Sequence, residues 1–258
     1  MPILPAHGES IHYVAHGSGP AVVLMHSLGS SVHMWKEQIA ALSCRYTVIA
    51  FDARGHGQSS ANGEVSMAAA AEDLKALLDH LGIAQCHLVG ISMGGPIALL
   101  FNMKCPQMVR SLVLADSFAK ATEGAADRFA ATREAIAYIS MAEFGAQYAA
   151  ERLMPSTPLS VQDELAGVIA QVSPAAYLAT MQSVLFGDFT AALSAVKAPA
   201  LVLIGENDNV TPRSASEYLV KNIAGATLKV IPGAGHLSNL DNPQAFNEAV
   251  SEFLDARS

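Results

Sequence analysis

Charge is scarce in this chain. Of its 258 residues only 15% are Asp, Glu, Lys or Arg, against 51% hydrophobic, which excludes a disordered segment or a basic nucleic-acid-binding tail. The charge that is present sums to −8. That sign repels phosphate backbones and anionic bilayers, so neither nucleic acid nor membrane is expected as a partner. Cysteine is scarce too. Cys44, Cys86 and Cys105 make an odd number with no C-x-x-C among them, which argues against a disulfide framework and fits mostly buried, reduced thiols in a cytoplasmic protein. There is no H-E-x-x-H and no His/Asp cluster at metal-ligand spacing, so neither a metal nor a cofactor is expected. No apolar run approaches the length of a bilayer span. The opening "MPILPAHGES" lacks the basic and apolar regions of a secretory signal.

What the chain does have is a rhythm. Short apolar runs recur at 21–26, 46–51, 87–90, 111–116, 200–205 and 227–232, continuous rather than alternating, as in strands covered on both faces. Helical patterns lie between them. Leu74, Leu77, Leu78 and Leu81 share one face with Gly82 placed to end the helix, and Asn242–Pro243 reads as the N-cap and first residue of another. Strand–helix alternation predicts an α/β fold with a mostly parallel sheet between two helical layers. "GESIHYVAHGSG" reads as part of an antiparallel edge hairpin. Between 119 and 190 the alternation stops and the pattern is helical throughout. Ser140 and Glu143 make a capping-box pair, Ser160 is placed to cap a further helix, and Ser173–Pro174 starts the next. The expected organisation is therefore a core of 1–118 and 191–258 with an inserted helical lid, 119–190. Such a lid would lie over the carboxyl ends of the strands, where open α/β sheets bind ligands.

"HLVGISMGGPIALL" (87–100) carries the chemistry. Gly90-Ile91-Ser92-Met93-Gly94 is a G-x-S-x-G sequence between a strand run and a helix run. That context puts Ser92 on a sharp corner at a helix N-terminus, where developing negative charge is favoured. A serine needs a base, and the base needs an orienting acid. In the chain order of such elbows the acid comes next and histidine last. Asp208 in "LVLIGENDNVTP" and His236 in "IPGAGHLSNLDNP" both follow strand runs and are the candidates. Asp116, at the end of the preceding strand run, is a rival acid, or else a residue that closes the entry to the lid. Of the other histidines, His87 is expected in the core, His56 in a loop-bonding role, and His7, His12, His16 and His80 on the surface or hairpin. Asp52 is expected to hold a loop. The oxyanion donors would be the amides of Met93, directly after the serine, and Leu28, in the loop after the first parallel strand.

"HSLGSS", "FDARGHGQS", "GISMGG", "GENDNVTP" and "GAGHLSNLDNP" occur in this order. With them the chain resembles the α/β-hydrolase family over nearly all its length outside the lid, and within it is most similar to 3-oxoadipate enol-lactonases. One departure is His26-Ser27 where many relatives have His-Gly. The resemblance implies an acyl-enzyme serine hydrolase of a small lactone bearing a carboxylate. General carboxylesterase, C–C bond hydrolase and perhydrolase activities stand as alternatives, and a non-catalytic ligand-binding module is the reading from another class. A carboxylated substrate in an apolar pocket needs a cation. Lys120, Arg128, Arg133 and Arg152 are the candidates within the lid. Arg128 or Arg133 is expected to face Ser92; otherwise both lie on a solvated face beside Asp127 or Glu134.

Overall fold

A computed structural model describes residues 2–120 and 123–257. In chain order its elements are β1 (Ile3–Ala6), β2 (Glu9–His16), β3 (Ala21–Met25), α1 (Lys36–Leu42), β4 (Thr47–Phe51), α2 (Met67–His80), β5 (Cys86–Ile91), α3 (Gly94–Lys104), β6 (Val109–Ala115), α4 (Ala125–Tyr138), α5 (Met141–Arg152), α6 (Leu159–Ala170), α7 (Pro174–Phe186), α8 (Thr190–Leu193), β7 (Ala200–Gly205), α9 (Arg213–Asn222), β8 (Thr227–Ile231), α10 (Ser238–Asp241) and α11 (Pro243–Asp255). Among the described residues the strands form one eight-stranded sheet in the order β1-β2-β4-β3-β5-β6-β7-β8. β1 and β2 are antiparallel, as are β2 and β4, and every later pairing is parallel.

The continuous apolar runs have a direct explanation. Successive strand residues point to opposite faces, and both faces are covered. Val23, Leu88 and Leu112 pack with Leu74, Leu77, Ile97 and Phe101 of α2 and α3. Val22, Leu24, Val89 and Leu203 pack on the other side with Trp35, Leu42, Phe246 and Val250. Burying such side chains contributes roughly 25 cal/mol per Å² of apolar surface, so the sheet needs no alternating pattern to be stable. Gly82 adopts φ 67° just beyond α2, the left-handed conformation that ends helices. Asn242 caps α11 by accepting from the Ala245 amide. Ser140 and Glu143 form the reciprocal capping box at α5, and Ser173 caps α7. Ser160 does not cap α6. That helix begins one residue earlier, after Pro158 at the N-cap position, because proline at φ −53° already points the chain into the first turn.

His12 departs from its surface expectation. It is fully buried, and its Nδ1 lies 2.7 Å from Asp52 Oδ2. Asp52 also accepts from the amides of Val32 and Gln58, so this carboxylate does hold its loop, with His12 as a further partner. His87 is buried with Nδ1 2.8 Å from Ser111 Oγ. His56 is buried against Arg54 O at 3.1 Å, and burial pushes its pKa down to about 3. All three cysteines are free, Cys86 and Cys105 buried and Cys44 exposed. No single helix among the described residues is long and apolar enough to cross a membrane.

Helices α4 to α7 are inserted between β6 and β7. The chain enters and leaves this block side by side: Phe189 N donates to Ala119 O at 2.7 Å, and Lys120 and Asp188 form an antiparallel bridge. α5 packs on α6, and α4 on α7, with Phe129 of α4 edge-on to Phe186 of α7.

Candidate active site

The corner after β5 is built by close approach. Ser92 sits at φ 51°, a left-handed conformation that costs a non-glycine residue about 1–3 kcal/mol. Three contacts hold it there. Ser92 N donates to Ala115 O at 2.9 Å, Gly95 N to Ser92 O at 3.0 Å, and Ser117 Oγ to the same carbonyl at 2.8 Å. The flanking glycines are required by space. A Cβ on Gly90 would lie 2.3 Å from Gly94 O, and one on Gly94 would lie 2.2 Å from Met25 O. Strand and helix therefore meet backbone to backbone, and the Ser92 hydroxyl is carried out over the end of the sheet.

The loops after β7 and β8 bring two more side chains to it. His236 Nε2 is 3.0 Å from Ser92 Oγ. His236 Nδ1 is 3.1 Å from Asp208 Oδ2. The imidazole and the carboxylate are both almost fully shielded from solvent. Asp208 is fixed by its own loop: Oδ1 accepts from Val210 N at 2.8 Å and Thr211 N at 3.0 Å, and Oδ2 accepts from the Thr211 hydroxyl. Thr211, which the sequence reading did not single out, also places its hydroxyl 3.3 Å from His236 Nδ1. Burial acts to raise the Asp208 pKa, but the adjacent imidazole and these hydrogen bonds outweigh it and hold the carboxyl below its usual value. A carboxylate so placed is an ionised acceptor for Nδ1–H, which leaves Nε2 to face the serine oxygen.

Asp116, the rival acid, does not touch the imidazole. It turns into the sheet end, where Oδ1 accepts from Gly205 N and Oδ2 from Ser238 N and Oγ. Nor does it close the entry to the inserted block. Leu28 lies in the loop after β3, and Met93 immediately precedes α3. Among the described residues no acceptor takes the Leu28 or the Met93 amide, the condition required of donors reserved for a ligand oxygen. His26 braces the Leu28 loop, with Nδ1 2.8 Å from Ser27 O and Nε2 accepting from Ala53 N at 2.9 Å. The Leu28 carbonyl accepts from Tyr148 Oη at 3.1 Å, so α5 also touches this loop.

Ser92 and His236 open onto a cavity of about 420 Å³ roofed by the inserted helices. Phe118, Phe144, Met181, Val184 and Leu185 give it apolar walls. Two cations line it, Arg128 and Arg152. Arg133 does not: its side chain is exposed on α4, one and a half turns beyond Arg128 and so on a different face. Arg152 is one of the four candidate lid cations, though not one of the two expected to face Ser92. It ends α5, stacks over the Tyr148 ring at 5.1 Å and lies 3.2 Å from Glu151. Its position on the i+4 ridge from Tyr148 was the available signal. Among the described residues no group of three or more His, Cys, Asp or Glu is arranged to hold a metal ion.

These features can be set beside known proteins. A family model described as the alpha/beta hydrolase fold matches residues 20–243. The 3-oxoadipate enol-lactonase 2 of Acinetobacter baylyi is 33% identical over 260 residues, covering 97% of this chain and 95% of its own. Among solved structures, the enol-lactonase of Burkholderia xenovorans LB400 superimposes with a TM-score of 0.92 at 25% identity, covering 98% of this chain and 100% of its own. A thermophilic esterase from Thermogutta terrifontis does so with a TM-score of 0.89 at 28% identity, covering 99% and 97%. The strand order, the serine corner and a family match across 20–243 agree, and the chain belongs to the α/β hydrolase fold family.

Proposed function

We propose that the protein is a serine hydrolase that opens a small lactone through an acyl-enzyme, with a carboxylated enol-lactone of the 3-oxoadipate type as the leading candidate substrate. Hydrolysis of an ester bond is the coarser part of this reading, in keeping with its relatives. The observation that carries the mechanism is the continuous chain from Ser92 Oγ through His236 to Asp208, with links of 3.0 and 3.1 Å. His236 Nε2 takes the Ser92 proton as the oxygen attacks the lactone carbonyl. The amides of Leu28 and Met93 receive the oxyanion, each such donor being worth about 3–4 kcal/mol in the transition state. His236 then protonates the departing ring oxygen, which stays tethered to the acyl group in a lactone. A water deprotonated by the same imidazole attacks the acyl-enzyme, and Ser92 recovers its proton as the product acid leaves.

The inserted block, 119–190, serves as a lid that excludes water and selects substrate, between core segments 1–118 and 191–258. Arg152 and Arg128 are the residues suited to hold a substrate carboxylate, since guanidinium binds it bidentately. A cavity of about 420 Å³ lies within the range of small-molecule sites. The reading is tested by comparing carboxylated lactones, neutral lactones and p-nitrophenyl esters, with and without a serine-directed phosphonate. Phosphonate-sensitive turnover with the highest kcat/KM on carboxylated lactones is expected. A second reading, a carboxylesterase of neutral esters, has one observation in its favour: Arg152 already lies within 3.2 Å of Glu151. Higher kcat/KM on neutral esters would select it.

A further inference from the structure

One buried carboxylate at the site takes no part in the proton relay. Asp116 follows β6 at φ 46° and is fully buried. Its amide donates to Leu203 O at 2.9 Å. Its Oδ1 accepts from Gly205 N at 2.7 Å, and its Oδ2 accepts from Ser238 Oγ at 2.6 Å and Ser238 N at 3.1 Å. Gly205 is three residues before Asp208, and Ser238 is two residues after His236. A single carboxylate therefore joins the ends of β6 and β7 to the loop that carries the imidazole. The charged and titratable groups that face it are Asp208, from the loop after β7, and His236, from the loop after β8.

We propose that Asp116 is a positioning residue, which fastens the His236 loop to the start of the Asp208 loop. The proposal rests on the reading of Ser92, His236 and Asp208 as the relay. At 3.1 Å the Asp208–His236 contact is at the long end of a hydrogen bond to a charged acceptor. A loop displacement of a few tenths of an ångström would weaken it. Burial, with the Asp208 charge adding to it, pushes the Asp116 carboxyl itself up to about 7, although His236 and the Ser238 and Gly205 hydrogen bonds pull the other way.

Asp116→Asn removes the charge and leaves the shape. The amide oxygen can still accept from Gly205 N, but the amide nitrogen meets the Ser238 N–H donor to donor. Ser238→Ala removes one anchor and keeps the carboxyl. Both are measured from pH 5 to 9 on p-nitrophenyl acetate beside wild type and Ser92→Ala. For Asp116→Asn the expected result is a kcat lowered about tenfold or more with a KM within twofold. Ser238→Ala is expected to lower kcat about fivefold at unchanged KM. An Asp116→Asn kcat within twofold of wild type overturns the proposal while an inactive Ser92→Ala leaves the relay standing. An active Ser92→Ala overturns both. Should Asp116→Asn fail to fold by circular dichroism, Ser238→Ala decides: a fivefold loss of kcat at unchanged KM upholds the clamp, and wild-type kcat ends it.

Discussion

The sheet end and the inserted helices face each other across one cavity, yet they are held in different ways. At the sheet end the serine corner and both aspartates are tied to backbone, and these in turn hold the imidazole. Ser92 is pinned by Ala115 and Ser117, Asp208 by Val210 and Thr211, and Asp116 by Gly205 and Ser238. Across the cavity α4 has only Ala125 and Ile136 buried, and both cationic side chains are half-buried ends of long, flexible stems. The difference separates two tasks. Bond-making chemistry needs atoms fixed to a few tenths of an ångström, whereas recognition of a small substrate tolerates and uses adjustable side chains. Tyr148, donating from α5 to the Leu28 carbonyl, is the point where the adjustable half touches the fixed one.

The comparison can be broken most severely at the serine. Ser92→Ala should lower kcat by about 10⁴-fold or more with the fold retained, read by ester hydrolysis and circular dichroism. Near-wild-type turnover would mean that the fixed half does not hold the nucleophile. Asp208→Asn follows at about 10³- to 10⁴-fold, because the imidazole loses both its orientation and the stabilisation of its charged form. Its loss should exceed that of Asp116→Asn by at least tenfold. The opposite ranking would hand the acid role to Asp116.

Effects on the frame come next. Gly94→Ala places a methyl 2.2 Å from Met25 O, and the backbone there cannot yield. The expected loss is about 3 kcal/mol of stability by urea unfolding, and an unchanged midpoint would refute the packing argument. The recognition half should respond more mildly and selectively. Arg152→Met should reduce kcat/KM on a carboxylated lactone by about tenfold to thirtyfold relative to a neutral ester of similar size. Arg133→Met, outside the cavity, should change neither by more than twofold, and equal losses on both substrates would remove the carboxylate from Arg152.

The smallest effect is on stability against pH. The Asp116 pKa is higher in the fold, about 7, than in an unfolded chain, about 3.9. The folded state therefore holds its proton longer. The stabilisation linked to that proton is complete below about pH 4 and is lost as pH rises through about 7. Across that window the Tm of wild type should fall relative to that of Asp116→Asn by a few degrees, and parallel curves would show that Asp116 titrates normally.

Much of the fixed half was legible because it depends on local backbone chemistry. Strand runs, the glycine pair around Ser92, and loops bearing Asp208 and His236 are each encoded within a few residues. Asp208 and Asp116 both follow strands, and the loop "NDNVTP" was the only ground for preferring one. The deciding fact is that Thr211 and Val210 turn the Asp208 carboxylate toward Nδ1, whereas Gly205 and Ser238 hold Asp116 away from it. The adjustable half was read less well. Arg128 and Arg133 stand on one helix, and periodicity alone could not say which face looks inward, because α4 carries polar side chains on several sides. Arg152 is not singled out by the sequence because only the tertiary packing of α5 on α6 and on the Leu28 loop turns its end toward the cavity.

The sequence by itself determined the order of elements, the doubly covered sheet, the serine corner and the order in which the Asp208 and His236 loops follow it, since apolar runs, caps and glycine conformations act over short distances. The tertiary structure decided the burial of His12 on Asp52, the partners of the two aspartates, the contact from Tyr148 to the Leu28 loop and the arginines that border the cavity. Those are contacts between residues tens to more than a hundred positions apart, and only the packing of the whole chain sets which side chains meet there.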